Sequence, residues 1–448
     1  MDILTLARLQ FSLTIMFHYI YPPISIGLGV AIVIMETMYL LTKDPLYHQM
    51  TRFWVKIFGL VFAIGVATGI VMEFEFGTNW ATYSRYVGDV FGSALAAEGV
   101  FAFFLESGFL AILLFGWDKV SKFTHWLSAL LVCLGAHFSA IWIVVANSWM
   151  QTPAGFHIVG SGLHARAEIT DFWAMVFNPS SMQRLSHVIL GAWMTGAFLV
   201  LSVSAYYLLK KEHISFAKAS LKIGLFLAFV ATLGQMETGR ISAEGVARHQ
   251  PSKLAAMEGH YAAHAPADIY LAGLVDEKNE ETKGLKIKGL LSYLVDNDFN
   301  APLVGLKVYK KEDRPPVALT FQMYHAMLAI GGVLLGLVII GMWLFLKRKL
   351  FDCQWYLKIL VPAVILPQLA NQTGWITAEV GRQPWIVYGL LRTSDALSKA
   401  VGAHAVLTSL VLFTVVYIFL FVLFIFLLDQ KIKQGPEHLA QDTLTQRA

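Results

Sequence analysis

Side chains of types that can bind iron lie inside long apolar stretches of this chain. Imidazole and thioether groups, the axial ligands that haem iron commonly takes, are supplied there by His18, His187, Met323, His325 and Met327. An ionisable group at the centre of a bilayer costs about 2.5–3.5 kcal/mol on insertion scales, so each one is a candidate for a function. His187 together with Met323 or Met327 is suited to holding a six-coordinate haem.

Acidic side chains form a second set. Glu98 and Glu106 lie eight residues apart in one apolar stretch, so on a regular α-helix they are about 80° apart around the axis. Both can therefore face one interior polar track, either as a proton route or as acids paired with a neighbouring helix. Glu379 and Arg382 end another apolar stretch, in the string TAEVGRQPW.

The same residue types also have ordinary roles in a membrane protein. A lone histidine is commonly a hydrogen-bonded interior group, and methionine commonly fills gaps in a core. His137 and His404 are as available for iron as the other histidines on chemistry alone. The residues by themselves leave the ligand pairs open, and intramembrane acids also occur in secondary transporters.

The composition places all these groups in a membrane. Apolar residues make up 56% of the 448-residue chain and charged residues 14%, whereas soluble proteins carry about 25% charged residues. A membrane-spanning helix needs about 20 mostly apolar residues. The sequence therefore predicts an all-α polytopic membrane protein with nine transmembrane helices, at about 13–41, 53–75, 90–115, 126–148, 186–209, 216–236, 318–346, 355–378 and 401–428.

Basic residues give the orientation, because cytoplasmic loops are enriched in lysine and arginine. Every second loop between the predicted helices holds most of the lysines and arginines. These loops are predicted to be cytoplasmic, which puts the amino terminus outside and the carboxyl terminus in the cytoplasm. The iron-binding candidates then cluster near the outer face. The basic residues are Lys43, Arg52, Lys119, Lys122, Lys210, Lys211, Lys218, Lys347, Arg348, Lys349, Lys431 and Lys433.

Four segments follow from this topology. Residues 1–236 hold helices one to six, 237–317 form a long charged outer loop, 318–430 hold helices seven to nine, and 431–448 form a cytoplasmic tail. A loop of such length is usually functional or disordered. A net charge of +4, dispersed along the chain, predicts no nucleic-acid partner. Two cysteines are too few for a four-thiolate metal site.

Specific strings along nearly the whole chain carry a family resemblance. The sequence resembles subunit I of the cytochrome bd quinol oxidases in the strings ARLQFSLT, MEFEFGTNW, VGDVFGSALAAEG, FFLES, GWDK, SAIWIVVANSWMQ, KLAAMEG and GRQPW. The resemblance implies an enzyme of the bacterial cytoplasmic membrane that oxidises quinol at the outer face. It would reduce dioxygen to water with protons from the cytoplasm, generating proton motive force without pumping.

The resemblance also implies cofactors and partners. The family uses a low-spin haem b, a high-spin haem b and a haem d, and assembles with a subunit II and a small single-helix subunit. His187 and Met327 match the axial ligands of the low-spin haem. His18 and Glu379 match the single ligands of the other two haems, and we assign them jointly.

Further residues match functional positions of the family. Glu98 matches the acid beside the oxygen-reducing haems, Glu106 and Ser139 match its proton track, and Arg382 matches a basic residue near the haem propionates. In the outer loop, which is of the short kind, Lys253 and Glu258 match positions used in quinol oxidation.

One position departs from the family pattern. The family commonly has arginine two residues before the helix-seven methionine, and this chain has His325 there. Loss of that fixed charge predicts a lower potential of the low-spin haem, and makes Met323 and His325 rival ligands to Met327. A haem-bearing subunit that passes electrons without reducing oxygen, and a subunit that has lost its cofactors, are the other readings that the sequence admits.

Overall fold

The computed structural model is mostly helical and describes residues 2–263 and 265–437. Residues 438–448 of the expected cytoplasmic tail lie outside the described residues. The sixteen α-helices are α1 Ile3–His18, α2 Tyr21–Thr42, α3 Pro45–Thr78, α4 Ala81–Tyr86, α5 Gly88–Glu98, α6 Phe104–Phe115, α7 Lys122–Gln151, α8 Phe172–Val176, α9 Ser181–Lys210, α10 Ile214–His249, α11 Pro251–Met257, α12 Leu290–Asp296, α13 Val317–Leu346, α14 Gln354–Leu360, α15 Ile365–Val380 and α16 Ala403–Gln434.

Seven helical segments of the described residues are long and apolar enough to cross a membrane, which is consistent with a polytopic membrane protein. They are Ile3–Thr42, Pro45–Thr78, Lys122–Gln151, Ser181–Lys210, Ile214–His249, Lys311–Leu346 and Ala403–Gln434. Five of these segments contain one predicted span each, Ala403–Gln434 covers all but the first two residues of the last predicted span, and Ile3–Thr42 contains the first predicted span together with α1.

The two other predicted spans, 90–115 and 355–378, are helical but interrupted. A π-helical turn, Gly99–Phe103, separates α5 from α6, and a 3₁₀ turn, Pro362–Val364, separates α14 from α15. Proline removes a backbone donor and breaks a regular helix, which explains the second interruption. The count of nine transmembrane helices and their orientation therefore stay predictions.

Three short antiparallel hairpins add strands to the expected all-α fold. β1 Phe156–Val159 pairs with β2 Arg166–Ile169, β3 Ile269–Asp276 with β4 Glu281–Ile287, and β5 Trp385–Val387 with β6 Leu391–Arg392. The segment 237–317 is also largely structured among its described residues. It begins with the last turns of α10 and continues through α11, the β3–β4 hairpin and α12.

Helices α2 and α9 approach each other at a pair of glycines. A Cβ atom on Gly27 would overlap the carbonyl oxygen of Ala192 and lie 2.8 Å from the backbone nitrogen of Gly196. Small residues at helix interfaces let two backbones come this close inside a membrane, where dispersion contacts dominate association. The glycine pair therefore fixes the position of α9, which carries His187.

We expect Gly196→Val to lower the stability of the purified protein by about 1–3 kcal/mol or more, because overpacking a tight core is costly. Gly331→Val on α13 is the matched control, since a Cβ there meets no described heavy atom within 4 Å. Thermal unfolding of the two variants measures the difference. Equal losses of stability would contradict the role of the glycine contact.

Candidate redox site

Helix α15 is the element that connects the candidate ligands. Its Gln372 side chain donates a 2.8 Å hydrogen bond to the carbonyl oxygen of Met16 in α1, and Trp375 packs edge-on against Tyr19 with ring centroids 5.5 Å apart. Asn371 donates to Thr195 of α9 over 3.0 Å. Since α15 also packs along α13, it touches the helices of His18, His187 and Met327.

His18 is held by a threonine of α3. Its ring nitrogen Nδ1 lies 3.0 Å from Thr68 Oγ1, and the Thr68 hydroxyl lies 2.9 Å from the carbonyl oxygen of Ile64 and 3.0 Å from that of Gly65. A hydroxyl has one hydrogen to donate and lone pairs to accept with. Because Thr68 donates to its own helix, it accepts from His18, so Nδ1 carries the ring hydrogen.

His187 repeats this arrangement on other helices. Its Nδ1 lies 3.1 Å from Thr238 Oγ1, and the Thr238 hydroxyl donates to the Gly234 carbonyl oxygen 2.9 Å away. The amide nitrogen of Gln235 lies 3.2 Å from His187 Nε2 and donates to it. Both histidines are thus held as the tautomer with the lone pair on Nε2, which is a common outer-shell device at metal sites; at His187 the Gln235 amide has to move aside before that lone pair can bind a metal.

The two other histidines that chemistry alone left open are placed differently. His137 Nδ1 lies 2.7 Å from the carbonyl oxygen of Cys133, and its Nε2 accepts a 2.9 Å hydrogen bond from Trp193. Its lone pair therefore accepts from an indole N–H, as that of His187 accepts from the Gln235 amide. His404 is exposed near the start of α16. The geometry favours His18 over both, and His187 differs from His137 in that a threonine hydroxyl of a neighbouring helix, rather than a carbonyl oxygen of its own helix, accepts from its Nδ1.

Three of the candidate ligands each face a glycine of a neighbouring helix. A Cβ on Gly69 would lie 3.2 Å from His18 Cε1, one on Gly239 would lie 3.4 Å from His187 Cε1, and one on Gly374 would lie 2.9 Å from the sulfur of Met327. Lack of a side chain at these positions leaves room beside each ligand, as a flat macrocycle requires.

Glu379 lies in a cluster of polar groups at the end of α15. Its carboxylate accepts hydrogen bonds from Arg382 at 2.5 Å, Gln151 at 3.1 Å and Asn147 at 3.2 Å, and Arg184 lies 4.0 Å away. Arg184 also donates to Asn147. Two cations beside one carboxylate leave an excess of positive charge at this place.

Part of that positive charge has no partner. Arg382 is 4% exposed, and its Nε and Nη1, like Nε of Arg184, are buried without a hydrogen-bond partner among the described residues. Buried polar groups are nearly always hydrogen-bonded, so these atoms fit an additional anionic group such as a haem propionate. No three His, Cys, Asp or Glu side chains of the described residues converge on a metal site; a haem needs fewer, because its ring supplies four nitrogens.

Glu98 and Glu106 both lie against α7. Ser139 donates a 2.9 Å hydrogen bond to Glu98, and a Cβ on Gly135 would lie 2.9 Å from Glu106 Cβ. The π-helical turn lies between the two acids and adds a residue to the helix, as π-bulges at functional sites often do. Both carboxyl groups thereby face α7 at two depths. On a regular helix the two side chains would point in somewhat different directions.

Lys253 is buried rather than directed into an open loop. It is 2% exposed, and its ammonium donates to Gln151 at 2.5 Å and to Gln250 at 2.8 Å. Since Gln151 also donates to Glu379, one amide connects Lys253 to the Glu379 cluster. Burial, together with the nearby Arg184, holds the pKa of Lys253 well below its ordinary value.

Glu258 ends α11 and packs against α13. It is 1% exposed, Tyr324 is its hydrogen-bond partner, and its Oε2 has no partner among the described residues. Burial raises the pKa of Glu258 to about 8, although the hydrogen bond from Tyr324 opposes the change. A carboxyl group with such a pKa can accept and release protons near neutral pH.

His325 is held by two carbonyl oxygens. Its Nδ1 lies 2.9 Å from that of Phe321 and its Nε2 lies 2.7 Å from that of Tyr270 in β3. Both ring nitrogens are thus engaged, which disfavours His325 as a rival to Met327. Met323 is half-buried, and the contact of Met327 with Gly374 favours Met327 over it.

The residues that hold the candidate ligands are not apparent from the sequence. Only contacts in the structure identify these residues, which are Thr68, Thr238, Gln151, Arg184 and Tyr324. A signal for the threonines exists, since each directly precedes the glycine beside its histidine, in VATGI and METGR. A Thr-Gly pair inside a membrane helix is therefore a pattern worth testing as an outer-shell motif.

Comparison with known proteins gives concordant results. A family model described as cytochrome bd terminal oxidase subunit I matches residues 6–436. The chain is 42% identical to cytochrome bd ubiquinol oxidase subunit 1 of Bacillus subtilis (98% of this chain, 95% of the relative). It is 34% identical to cytochrome bd-II ubiquinol oxidase subunit 1 of Escherichia coli (100% and 99%). The bd oxidase structure from Geobacillus thermodenitrificans matches with a TM-score of 0.89 and 30% identity (97% and 99%).

We expect Thr238→Val to raise the midpoint potential of the haem for which the resemblance implies His187 as a ligand. The change removes the acceptor of the Nδ1 hydrogen, so the imidazole becomes a poorer donor to oxidised iron. A hydrogen bond contributes about 1 kcal/mol, which corresponds to at most roughly 40 mV for one electron. Thr238→Ser keeps the oxygen and should retain the wild-type potential in a redox titration. The same potential in all three proteins would contradict the arrangement.

Proposed function

Because the chain belongs to the cytochrome bd terminal oxidase subunit I family, we propose that the residues described above hold the haems and handle the protons of this enzyme. The protein is a membrane-embedded subunit of a quinol:oxygen oxidoreductase, and it works in a complex with other subunits.

The haems proposed are a low-spin haem b, a high-spin haem b and a haem d. His187 and Met327 would hold the low-spin haem, and His18 and Glu379 would each hold one of the other two. When bound, these groups supply electron transfer and the reduction of oxygen, chemistry that side chains lack. The unpartnered guanidinium nitrogens of Arg382 carry this assignment, because an anionic cofactor group explains them best.

Quinol oxidation is proposed at the outer segment. Glu258 would accept a proton from the quinol hydroxyl as the electrons leave, since a base must lie within hydrogen-bonding reach of the proton that it removes. Its unpartnered Oε2 supports this role. Lys253 points at Gln151 instead of the loop surface, so we propose that it acts on the quinol site from beneath, through the Glu379 cluster. Two relatives are named for ubiquinol and a third, 33% identical, for menaquinol, so both quinols are to be assayed.

Protons for water formation would come from the other side. Glu106 and then Glu98 with Ser139 form a series of polar groups along α6, α5 and α7, leading toward the outer half of the protein. Two quinols release four protons outside, and one dioxygen consumes four protons from the cytoplasm to give two waters. The membrane is charged without a pump, in what we propose is the bacterial cytoplasmic membrane, with a subunit II and a small single-helix subunit as partners.

We expect Met327→Leu to convert the low-spin haem to high spin, because leucine has no atom that can bind iron. Met323→Leu is the matched control on the same helix and should leave the spin state unchanged. Electron paramagnetic resonance and the visible spectrum of the purified enzyme distinguish the two states. A high-spin conversion by Met323→Leu alone would show that the ligand register is shifted by one turn.

We expect quinol oxidation to rise with pH up to about 8, the pKa of Glu258. The ionised carboxylate accepts the proton, and below this pKa most molecules carry a protonated Glu258 that cannot. Glu258→Gln should slow quinol oxidation by at least about 10²-fold, as loss of a positioned base typically does, and should abolish this pH dependence. Oxygen reduction driven by an artificial electron donor is the control. Equal losses in both assays would contradict a role at the quinol.

A further inference from the structure

A buried acid and a buried histidine meet at the basic end of the bundle, apart from the candidate iron ligands. Glu36 near the end of α2 is 2% exposed and His125 near the start of α7 is 4% exposed. Lys43, Lys119 and Lys122 lie at the neighbouring helix ends and in the loop between them. The positive-inside rule therefore places the pair at the cytoplasmic end. The roles proposed above do not use it.

The hydrogen bonds of this pair determine how many protons it holds. His125 Nδ1 lies 2.9 Å from Glu36 Oε1, and His125 Nε2 lies 3.2 Å from the carbonyl oxygen of Leu113. A carbonyl oxygen only accepts, so Nε2 must carry a hydrogen. One further proton then lies between Nδ1 and the carboxylate, either as imidazolium with carboxylate or as imidazole with carboxylic acid.

Both arrangements are neutral as a unit, and removing the shared proton is costly. It would leave an uncompensated buried negative charge, and the lone pair of Nδ1 would face the carboxylate. Buried charges are tolerated only when they are paired. The pair is therefore built to hold one proton, and to be reloaded when it gives that proton away.

The contact with Leu113 ties this proton to the helix that carries Glu106. Leu113 is in the last turn of α6, where carbonyl oxygens have no partner within the helix. Glu106 lies seven residues back along the same helix, roughly 10 Å away by the helical rise. His125, Gly135 and Ser139 follow one another along α7 and contact Leu113, Glu106 and Glu98 respectively. The two segments thus carry polar groups at three successive depths.

The charged and titratable groups around the pair reach toward the protein surface. The ring of His125 packs on Trp117 with centroids 4.0 Å apart, and His48 of α3 packs edge-on against the same indole at 5.1 Å. Arg52 lies over that indole at 5.5 Å with a third of its side chain exposed, and it pairs with Glu437 at 3.4 Å. His48 interacts electrostatically with four charged or titratable groups, which are Arg52, Glu36, His125 and Asp118. Its Nδ1 is buried without a hydrogen-bond partner in the described part of the chain.

We propose that Glu36 and His125 form a one-proton site at the cytoplasmic entrance of the route to Glu106. The site takes up a proton past Arg52 and His48 and passes it toward Glu106 during oxygen reduction. It holds the proton in a neutral pair, so waiting for the next electron does not add charge to the membrane interior. The inference rests on the proposed role of Glu106 as the next proton acceptor.

Glu36→Gln tests the proposal in the purified oxidase with its natural subunits. Glutamine keeps the shape and one hydrogen bond to Nδ1 but has no proton to transfer. With an artificial donor in excess, we expect the proton-uptake phase of a single turnover with oxygen to slow by about tenfold. This is less than the ~10²-fold or more that a positioned acid or base contributes at a reacting centre, because water can partly bypass an entrance site. Haem content, oxygen binding and the quinol KM should be unchanged.

Thr37→Val is the matched control. Thr37 accepts a 2.9 Å hydrogen bond from Trp126, so it joins the same two helices one residue along from the pair, without a titratable proton. It should retain the wild-type proton-uptake rate. An unchanged rate in Glu36→Gln, or an equal slowing in Thr37→Val, would overturn the proposal.

Two further variants separate this proposal from the function on which it rests. His125→Gln removes the imidazole from the other side of the pair and should slow the same phase if Glu36→Gln fails to assemble; a wild-type rate would again overturn the proposal. Glu106→Gln should block proton uptake more strongly than either. If Glu106→Gln has no effect, the proton route proposed for the enzyme is wrong. If Glu106→Gln blocks uptake and Glu36→Gln does not slow it, only the entrance site is wrong.

Discussion

A threonine that donates its only hydroxyl hydrogen to its own helix can only accept a hydrogen bond from a neighbouring imidazole. This constraint fixes both His18 and His187, through Thr68 and Thr238, with the lone pair on Nε2. The arrangement works because a membrane interior offers no water that would supply or take the ring hydrogen. Each histidine is thereby held, through the backbone of the helix beside it, in the tautomer that the proposed iron ligation needs.

The same need for internal partners organises the remainder of the site. Glu379 has three hydrogen-bond donors, yet its neighbour Arg382 still has unpartnered nitrogens. Because the carboxylate of Glu379 has its hydrogen-bond donors and the guanidinium of Arg382 lacks acceptors, the cluster has room for one more anionic group. Gln151 connects this cluster to Lys253, which joins the segment 237–317 to the end of α15. The cluster proposed to hold a haem and the segment proposed to bind quinol are therefore one connected polar network.

The long helices and the choice of candidate ligands could be predicted from the sequence. Seven long helices agree with the hydropathy pattern, and the family resemblance selected His18, His187, Met327 and Glu379 before their contacts were known. The breaks at 99–103 and 362–364 could not be counted from hydropathy, because it responds to composition and not to the hydrogen-bond pattern of the helix. The buried direction of Lys253 was also missed, since its place in a charged segment suggests exposure. Partners such as Thr238 and Gln151 depend on the register between helices, which a single sequence does not specify.

The central claim is that the histidine of α9 binds iron through Nε2. The most direct test is the reduced-minus-oxidised spectrum of the purified His187→Ala oxidase, with and without carbon monoxide. Our account predicts that the low-spin haem signal and quinol oxidation are lost, while a haem that binds carbon monoxide is retained. A variant that keeps the low-spin signal and full quinol activity would contradict it.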